Sequence, residues 1–343
     1  MFDHLRLSII IPLYNVEKYV ASCINSLLDQ NLNPIDYEIL IIDDRSTDNS
    51  VSIVRKFESS YPNIHVHSQA NAGVGSARNK GIDLAKGKYI YFIDPDDYLA
   101  SNVLKPILDY TDDHDLQILT FSSVGTTNTA LYDSSSNTNQ KFTIDKMTGI
   151  DYIGTIGYKN EVWWYVTKRS FIKDFRLKFI EGRWMEDAIF TTTLFIKAKK
   201  MAHLSIDAHR HVKVEGSAMT SKEPKHYIKV IYDNGNAAKE FNKLIEEVNN
   251  SENSNLKCLS RLKTRQQSFV FFMMIRILKS EIRFKEVKAI MNSMTEIKVY
   301  PLNKFLGNDY KGFTYVLITR VFNIKYLYYA LFLILNPFLR MKN

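Results

Sequence analysis

Three acids in four residues, Asp94, Asp96 and Asp97 around Pro95, follow directly on the apolar run Tyr89–Ile93. A strand of β-branched and aromatic side chains reads as buried on both faces, and carboxylates at its carboxyl end are costly unless something cationic meets them. At roughly 3.3 Å per residue, Asp94 and Asp96 lie on the same side of the chain, close enough to repel without a cation between them. Hard oxygen ligands of this kind suit Mg²⁺ or Mn²⁺, which take one or two carboxylates and complete their shell from water and phosphate oxygens. The competing reading is a polar turn in which Pro95 and the acids only end the strand and cap the helix expected from about Ser101. Two more acidic pairs stand in the chain. Asp43-Asp44 closes the apolar run Tyr37–Ile42, and Glu186-Asp187 opens an apolar helical stretch to Lys197. A carboxylate can take the proton from an attacking hydroxyl, although acids at a helix start are also an ordinary capping pattern.

The elements that must position these acids alternate. Leu7–Pro12, Tyr37–Ile42, Ile64–Ser68 and Tyr89–Ile93 read as strands; Val16–Asp29, Ser46–Ser60 and Ser76–Ala85 have helical spacing between them. A βαβαβαβ series predicts a parallel sheet with helices on both faces, and ligands in such sheets bind at the carboxyl ends of strands, where Asp43-Asp44 and Asp94-Asp96-Asp97 fall. Beyond it, Ser122–Asp145 turns to Ser, Thr, Asn and Gly and reads as a mobile loop or irregular hairpin beside the site. Val162–Val166 reads as a strand, Pro224–Val248 as a long helix, and Asn249–Asn255 as a polar linker. The expected division is therefore a catalytic domain over residues 1–248 and a helical region over residues 256–343.

Charge is uneven between the two. Residues 1–255 carry 29 Lys and Arg against 33 Asp and Glu, a net of −4, while residues 256–343 carry 16 against 4, a net of +12; together they make the +8 of the whole chain. A basic segment interleaved with Phe, Tyr, Leu and Ile expects an anionic partner. Cys23 and Cys258 fit no metal or redox spacing and read as buried thiols of a reduced compartment. Met1–Leu7, with Asp3 and Arg6, has no secretory character.

Taken together, SIIIPLYNVEKYV (Ser8–Val20), IIDDRSTDNS (Ile41–Ser50), QANAGVGSARNKGIDLAKGKYIYFIDPDD (Gln69–Asp97), WWYVTKRSF (Trp163–Phe171), MEDAIF (Met185–Phe190) and HVKVEGSAM (His211–Met219) resemble an inverting family-2 glycosyltransferase of the bacterial kind that builds capsule, exopolysaccharide or lipopolysaccharide. The resemblance covers about the first 220 residues in the family's order. It departs at Arg45, where the family usually has Gly, and over His211–Lys213, where relatives commonly carry Tyr and Arg. The fold it implies is GT-A, a Rossmann-like, mostly parallel sheet with helices on both faces, here followed by the C-terminal helical region.

The resemblance also implies roles. Pro12, Tyr14 and Asn15 would close the first strand at the nucleotide, with Tyr14 stacked on uracil. Asp43 and Asp44 would meet the base, Asp44 accepting the uracil imide N–H. The small residues of Asn71–Gly81, with Asn71 and Gly73, would let the backbone approach the nucleotide, while Arg78 pairs with an acid or with the pyrophosphate. Asp94 would face the ribose and share a Mn²⁺ or Mg²⁺ with Asp96. Asp187, with Glu186 beside it, would be the base that deprotonates the acceptor and inverts the anomeric carbon. Lys213, Ser217 and His211 fit a lid over the pyrophosphate, or an ordinary surface hairpin. The Trp163-Trp164 pair fits core or a sugar platform.

The partners so implied are a nucleotide-sugar donor, probed first as a UDP-sugar, and a saccharide or lipid-linked saccharide acceptor, with no nucleic acid. Near the C-terminus, Tyr315–Phe322 and Tyr326–Leu335 are apolar stretches flanked by Arg320, Lys325, Arg340 and Lys342; the longer is about ten residues, where a spanning helix needs roughly 20. They are expected to lie on an anionic membrane surface, or to contact a partner subunit in a homo-oligomer. A cytoplasmic protein attached to the inner face of the cell membrane follows from that expectation. Other classes fit worse: a dinucleotide oxidoreductase needs G-x-G-x-x-G where this chain has Pro-Leu-Tyr-Asn, a nucleotidyltransferase needs a Gly-rich basic loop there, and a non-catalytic sugar- or nucleotide-binding scaffold needs neither acidic pair.

Overall fold

The strand β1 (Leu7–Leu13) is buried along its whole length. The computed structural model describes residues 5–136, 142–143, 145–214, 223–306 and 310–340. After β1 come α1 (Val20–Leu28), β2 (Tyr37–Asp43), α2 (Ser50–Ser60), β3 (Ile64–Ser68), α3 (Val74–Leu84) and β4 (Tyr89–Phe92), the alternation the sequence predicts. There follow β5 (Tyr98–Leu99), α4 (Leu104–Asp113), β6 (Ile118–Thr126), α5 (Gly149–Thr155), β7 (Tyr165–Lys168), α6 (Arg169–Asp174), α7 (Glu186–Lys197) and β8 (Met201–Val212). The last helices are α8 (Pro224–Asn249), α9 (Leu256–Lys279), α10 (Phe284–Glu296), α11 (Phe313–Phe322) and α12 (Lys325–Leu339).

The strands form one eight-stranded sheet in the order β3-β2-β1-β4-β7-β6-β8-β5. The half built from β3, β2, β1 and β4 is parallel; β1, β2 and β4 are buried along their length, while the edge strand β3 alternates buried Ile64 and Val66 with half-buried His65 and His67. Beyond β4 the direction mixes: β7 runs antiparallel to β4 and β6, β8 runs parallel to β6, and β5 closes the edge antiparallel to β8. Register brings the strand ends together. Leu13 lies opposite Asp43 and Ile10 opposite Phe92, so two residues on, Asp94 comes level with Pro12. Both cysteines are buried thiols outside any disulfide, and Cys23 Sγ donates to the Asp94 carbonyl at 3.8 Å.

Two expectations of the sequence change here. The chain divides into Met1–Tyr152 with Lys159–Glu215, and Ile153–Tyr158 with Gly216–Asn343, so α8 belongs with the second unit and the division does not fall at Asn249–Asn255. The reason is the apolar stripe of α8, Val230, Ile231, Ala237, Ala238 and Phe241, which packs on α9 with the Phe241 and Phe269 rings 5.1 Å apart. The polar stretch is the turn of this helical hairpin, and Asn255 caps α9 by accepting from the N–H groups of Lys257 and Cys258. Likewise, Ser122–Thr126 is not loop but the end of β6, paired to β8 across a bulge at Ser122. The serines after it are tied down as well. Ser134 Oγ donates to the Asp207 carbonyl at 2.7 Å, Ser135 Oγ to Asp207 Oδ2 at 2.8 Å, and Arg210 to the Asp133 carbonyl at 2.8 Å.

Candidate active site

The acids at the rim divide by what already holds them. At the end of β1 Tyr14 is 49% exposed, a ring left in solvent at a strand end. Asn15, at φ 52°, accepts the Thr47 N–H on Oδ1 at 2.7 Å, which ties the end of β1 to the loop after β2. That loop turns at Arg45, whose φ of 66° is the left-handed conformation that glycine adopts without strain, and Asp43 Oδ1 closes the turn by accepting from Ser46 N at 2.9 Å. Asp44 is buried and organises the next loop: Oδ1 accepts from Gln69 Nε2 and Ala72 N, each at 2.9 Å, Oδ2 from Gly73 N at 2.8 Å, and its carbonyl from Asn71 Nδ2 at 3.0 Å. Asp43, Asp44, Asn71 and Gly73 are thus brought together. Gly73, at φ 90°, starts α3 in a conformation that a side chain would strain.

The small residues of α3, expected to make room for a nucleotide, make room for protein at two positions. A Cβ on Gly75 would come within 2.8 Å of the Ile180 carbonyl, and one on Gly81 within 2.4 Å of Ile10 Cγ2. Asn79 clasps the same segment, donating to the Phe179 carbonyl at 2.9 Å and accepting the Phe179 N–H at 2.8 Å. Arg78 is buried and takes the acid-paired alternative. Its Nη1 reaches Glu186 Oε1 and its Nη2 reaches Asp94 Oδ1, both at 2.9 Å, with the guanidinium 5.3 Å from the centre of the Phe179 ring. Burial opposes its charge, but Asp94, Glu186 and Asp187 outweigh that and hold its pKa above the ordinary value. One cation therefore joins the acid after β4 to the acid that opens α7.

Two carboxylates beside this bridge have no ion pair with Lys or Arg among the described residues, and both are raised. Asp96 is pushed up to about 7, by burial first and then by repulsion from Asp94 and Asp97. Asp187 is pushed up to about 8, by burial and then by Glu186, with Arg78 opposing. Burial also raises Glu186, against the pull of Arg78. Glu186 and Asp187 stand in the first turn of α7, behind a left-handed Met185 at φ 67° that turns the chain into the helix. Asp187 thus combines an acidic site at a helix start with a pKa close to neutral, the property a general base needs.

Asp97 does something the sequence did not single out. It is fully buried; Oδ2 meets His209 Nε2 at 2.9 Å and Oδ1 accepts the Val212 N–H at 2.8 Å. His211 Nδ1 lies 3.2 Å from Oδ1. Burial would raise Asp97, but its bonds to His209 and His211 win and hold it below the ordinary range, while Asp97 raises His211 in turn. Tyr91 Oη closes the far side at His209 Nδ1, 2.9 Å away, and Trp163 stacks on His209 at 4.3 Å and on His211 at 5.2 Å between ring centres. Trp163 is buried in this stack, so its ring is taken by the two imidazoles; Trp164 is buried beside it, its indole N–H donated to the Glu161 carbonyl. The signal in the sequence was His209-Arg210-His211, two imidazoles on one side of a strand. Lys213, exposed, follows directly on Val212 and so sits at the end of β8 beside the Asp94–Asp97 turn. Ser217 lies outside the described residues.

Residues 8–199 match the family described as Glycosyl transferase family 2. The chain is 30% identical over 216 residues to the "Uncharacterized glycosyltransferase YibD" of Escherichia coli, covering 60% of this chain and 61% of that one. It is 30% identical over 221 residues to the "Poly(ribitol-phosphate) beta-glucosyltransferase" of Bacillus spizizenii, covering 63% of this chain and 34% of that one. It thus spans from about a third to under two thirds of these relatives. In three dimensions it is similar to S. aureus TarS 1-349, solved in complex with UDP-GlcNAc, with a TM-score of 0.68 at 21% identity over 95% of this chain and 90% of that one. The fold is accordingly GT-A with C-terminal helices, and with a family match over more than half its length, the chain belongs to glycosyl transferase family 2.

Proposed function

We propose that the protein is a metal-dependent, inverting glycosyltransferase that moves a sugar from a UDP-sugar to a hydroxyl of a saccharide or lipid-linked saccharide in bacterial surface polysaccharide synthesis. The observation that carries this is the pair of buried acids held above the ordinary carboxylate range, Asp96 and Asp187, next in the chain to the Asp94–Arg78–Glu186 bridge. One acid calls for a cation and the other for a proton. The relatives support the substrate class: one is named for a poly(ribitol-phosphate) acceptor, and TarS was solved with UDP-GlcNAc.

In this reading Tyr14 stacks on the base, and the lone pair left on Asp44 Oδ2 accepts the imide N–H. Asp44 also fixes the loop Gln69–Gly73 against which the nucleoside rests. Asp94, with Oδ1 on Arg78, keeps Oδ2 for a second partner two residues before Asp96. Those two carboxylates would hold Mn²⁺ or Mg²⁺, and among the described residues no group of three or more His, Cys, Asp or Glu is arranged to enclose a metal. A set this small fits a cation that draws its other ligands from water and a diphosphate. Bound there, such a cation would supply charge neutralisation of the departing nucleoside diphosphate. Lys213 adds an exposed positive charge at the end of β8. Asp187 accepts the proton of the acceptor hydroxyl as it attacks from the face opposite the leaving group. Arg78 holds Glu186 in an ion pair, which leaves Asp187 as the acid for the acceptor.

Incubation with a panel of nucleotide sugars and Mn²⁺ tests the reading. A UDP-sugar should raise the melting temperature in proportion to ln(1 + [L]/Kd) and release UDP. Stabilisation by no nucleotide sugar, or by one whose sugar is never transferred or hydrolysed, refutes it.

A further inference from the structure

We infer that α11 and α12 form an in-plane attachment to an anionic lipid surface, entering one leaflet without crossing it. The helix α12 is fastened to its own unit along one stripe. Tyr328, Phe332 and Asn336 are buried, Tyr328 Oη donates to the Met274 carbonyl at 3.0 Å, and Asn336 Nδ2 donates to the carbonyls of Leu278 and Ser280 at 3.1 and 2.7 Å. That fixes which face looks outward, and a soluble helix would carry its charges there. Here the outward face carries Tyr326, Leu333, Ile334 and Phe338, from 56% to 85% exposed, and no charged residue occurs between Lys325 and Arg340. Helix α11 continues the pattern with exposed Phe313 and Leu317.

Charge selects the occupant. Residues 256–343 carry a net +12, and Arg320, Lys325 and Arg340 stand at the ends of the two apolar helices. A second copy seated on this face would bring Arg320, Lys325 and Arg340 against their own like charges, whereas phosphatidylglycerol-type headgroups neutralise them and the cations snorkel to them. Length selects the geometry. Fifteen residues at about 1.5 Å each make a helix of roughly 22 Å against a hydrocarbon core of about 30 Å. Among the described residues no single helix is long and apolar enough to cross a membrane, and α11 and α12 qualify only as a pair bent by 100°.

The test uses the full chain and sucrose-loaded vesicles of phosphatidylcholine, with or without a quarter phosphatidylglycerol. Partitioning to the anionic vesicles should be at least about tenfold stronger and should weaken with salt. The triple variant Leu333→Gln, Ile334→Gln, Phe338→Gln, with an unchanged far-UV spectrum, should lose about tenfold or more of it. As a check independent of folding losses, Phe338→Trp should add emission that shifts to the blue on mixing with anionic vesicles. Equal partitioning to neutral and anionic vesicles, no blue shift, or a triple variant that binds as well as the wild type while a wild-type dimer becomes a monomer would each overturn the inference.

Discussion

Arg78→Met removes the cation that joins Asp94 to Glu186, and the structure sets how much that should cost. The methionine fills most of the stem's volume against Phe179, so the loss is mainly electrostatic. Asp94, with 30% of its side chain exposed, can rehydrate and contributes little; Glu186, at 6%, cannot. Left unpaired, the Glu186 carboxylate escapes by protonating. From an ordinary value near 4.3, doing so at pH 7 would cost about 3.7 kcal/mol at 1.36 kcal/mol per pH unit, an upper bound because Glu186 already lies above that value beside Arg78. At pH 5.5 the cap falls to about 1.6 kcal/mol. The sign follows from the direction of the shift: a carboxyl raised in the folded state destabilises above its unfolded pKa, so the penalty grows as pH rises and fades on acidification. Trp163, Trp164 and Trp184 all lie in the first unit, so their fluorescence in urea reports on that unit. A loss under about 1 kcal/mol at pH 7, or one that does not shrink by pH 5.5, refutes the assignment of Arg78 as the buried counter-charge.

Three further outcomes are expected. Asp187→Asn should keep UDP-sugar binding and lose transfer by about a hundredfold or more, and in the wild type at saturating Mn²⁺, log kcat/KM should rise with pH through about 8, because the carboxylate must be ionised to act; near-normal transfer by the Asn variant would pass the role to Glu186. Excess EDTA, or Asp96→Ala, should abolish turnover and weaken nucleotide binding, with Mn²⁺ or Mg²⁺ restoring only the wild type; full activity in EDTA excludes the cation. Arg45→Gly should raise stability by about 0.5–1 kcal/mol in the same urea titration, since relief of a left-handed side chain exceeds the added freedom of the unfolded chain, and a loss instead would mean that the Arg45 side chain makes a stabilising contact.

The sequence by itself determined the parallel half of the sheet and the acids along its edge. Apolar runs of five to seven residues bounded by turn residues and helical periods are local signals, and the acids at their ends mark the ligand-binding rim whatever lies farther along the chain. It also determined the family, through motifs in a fixed order. What it left open was every choice among long-range partners. Arg78 could pair with an acid or with pyrophosphate, and only the close approach of α3 to the segment before α7, where Gly75 meets Ile180, decides for Asp94 and Glu186. The acids looked equivalent in sequence, yet Asp97 is spent on His209 and His211 while burial and its acidic neighbours raise Asp96, because β8 is brought beside β5 from more than a hundred residues away. The polar stretch Asn249–Asn255 read as a linker because composition cannot show that the helices on either side share a core. Burial and proximity fix pKa and pairing, and both are properties of the folded chain that residue order carries only implicitly.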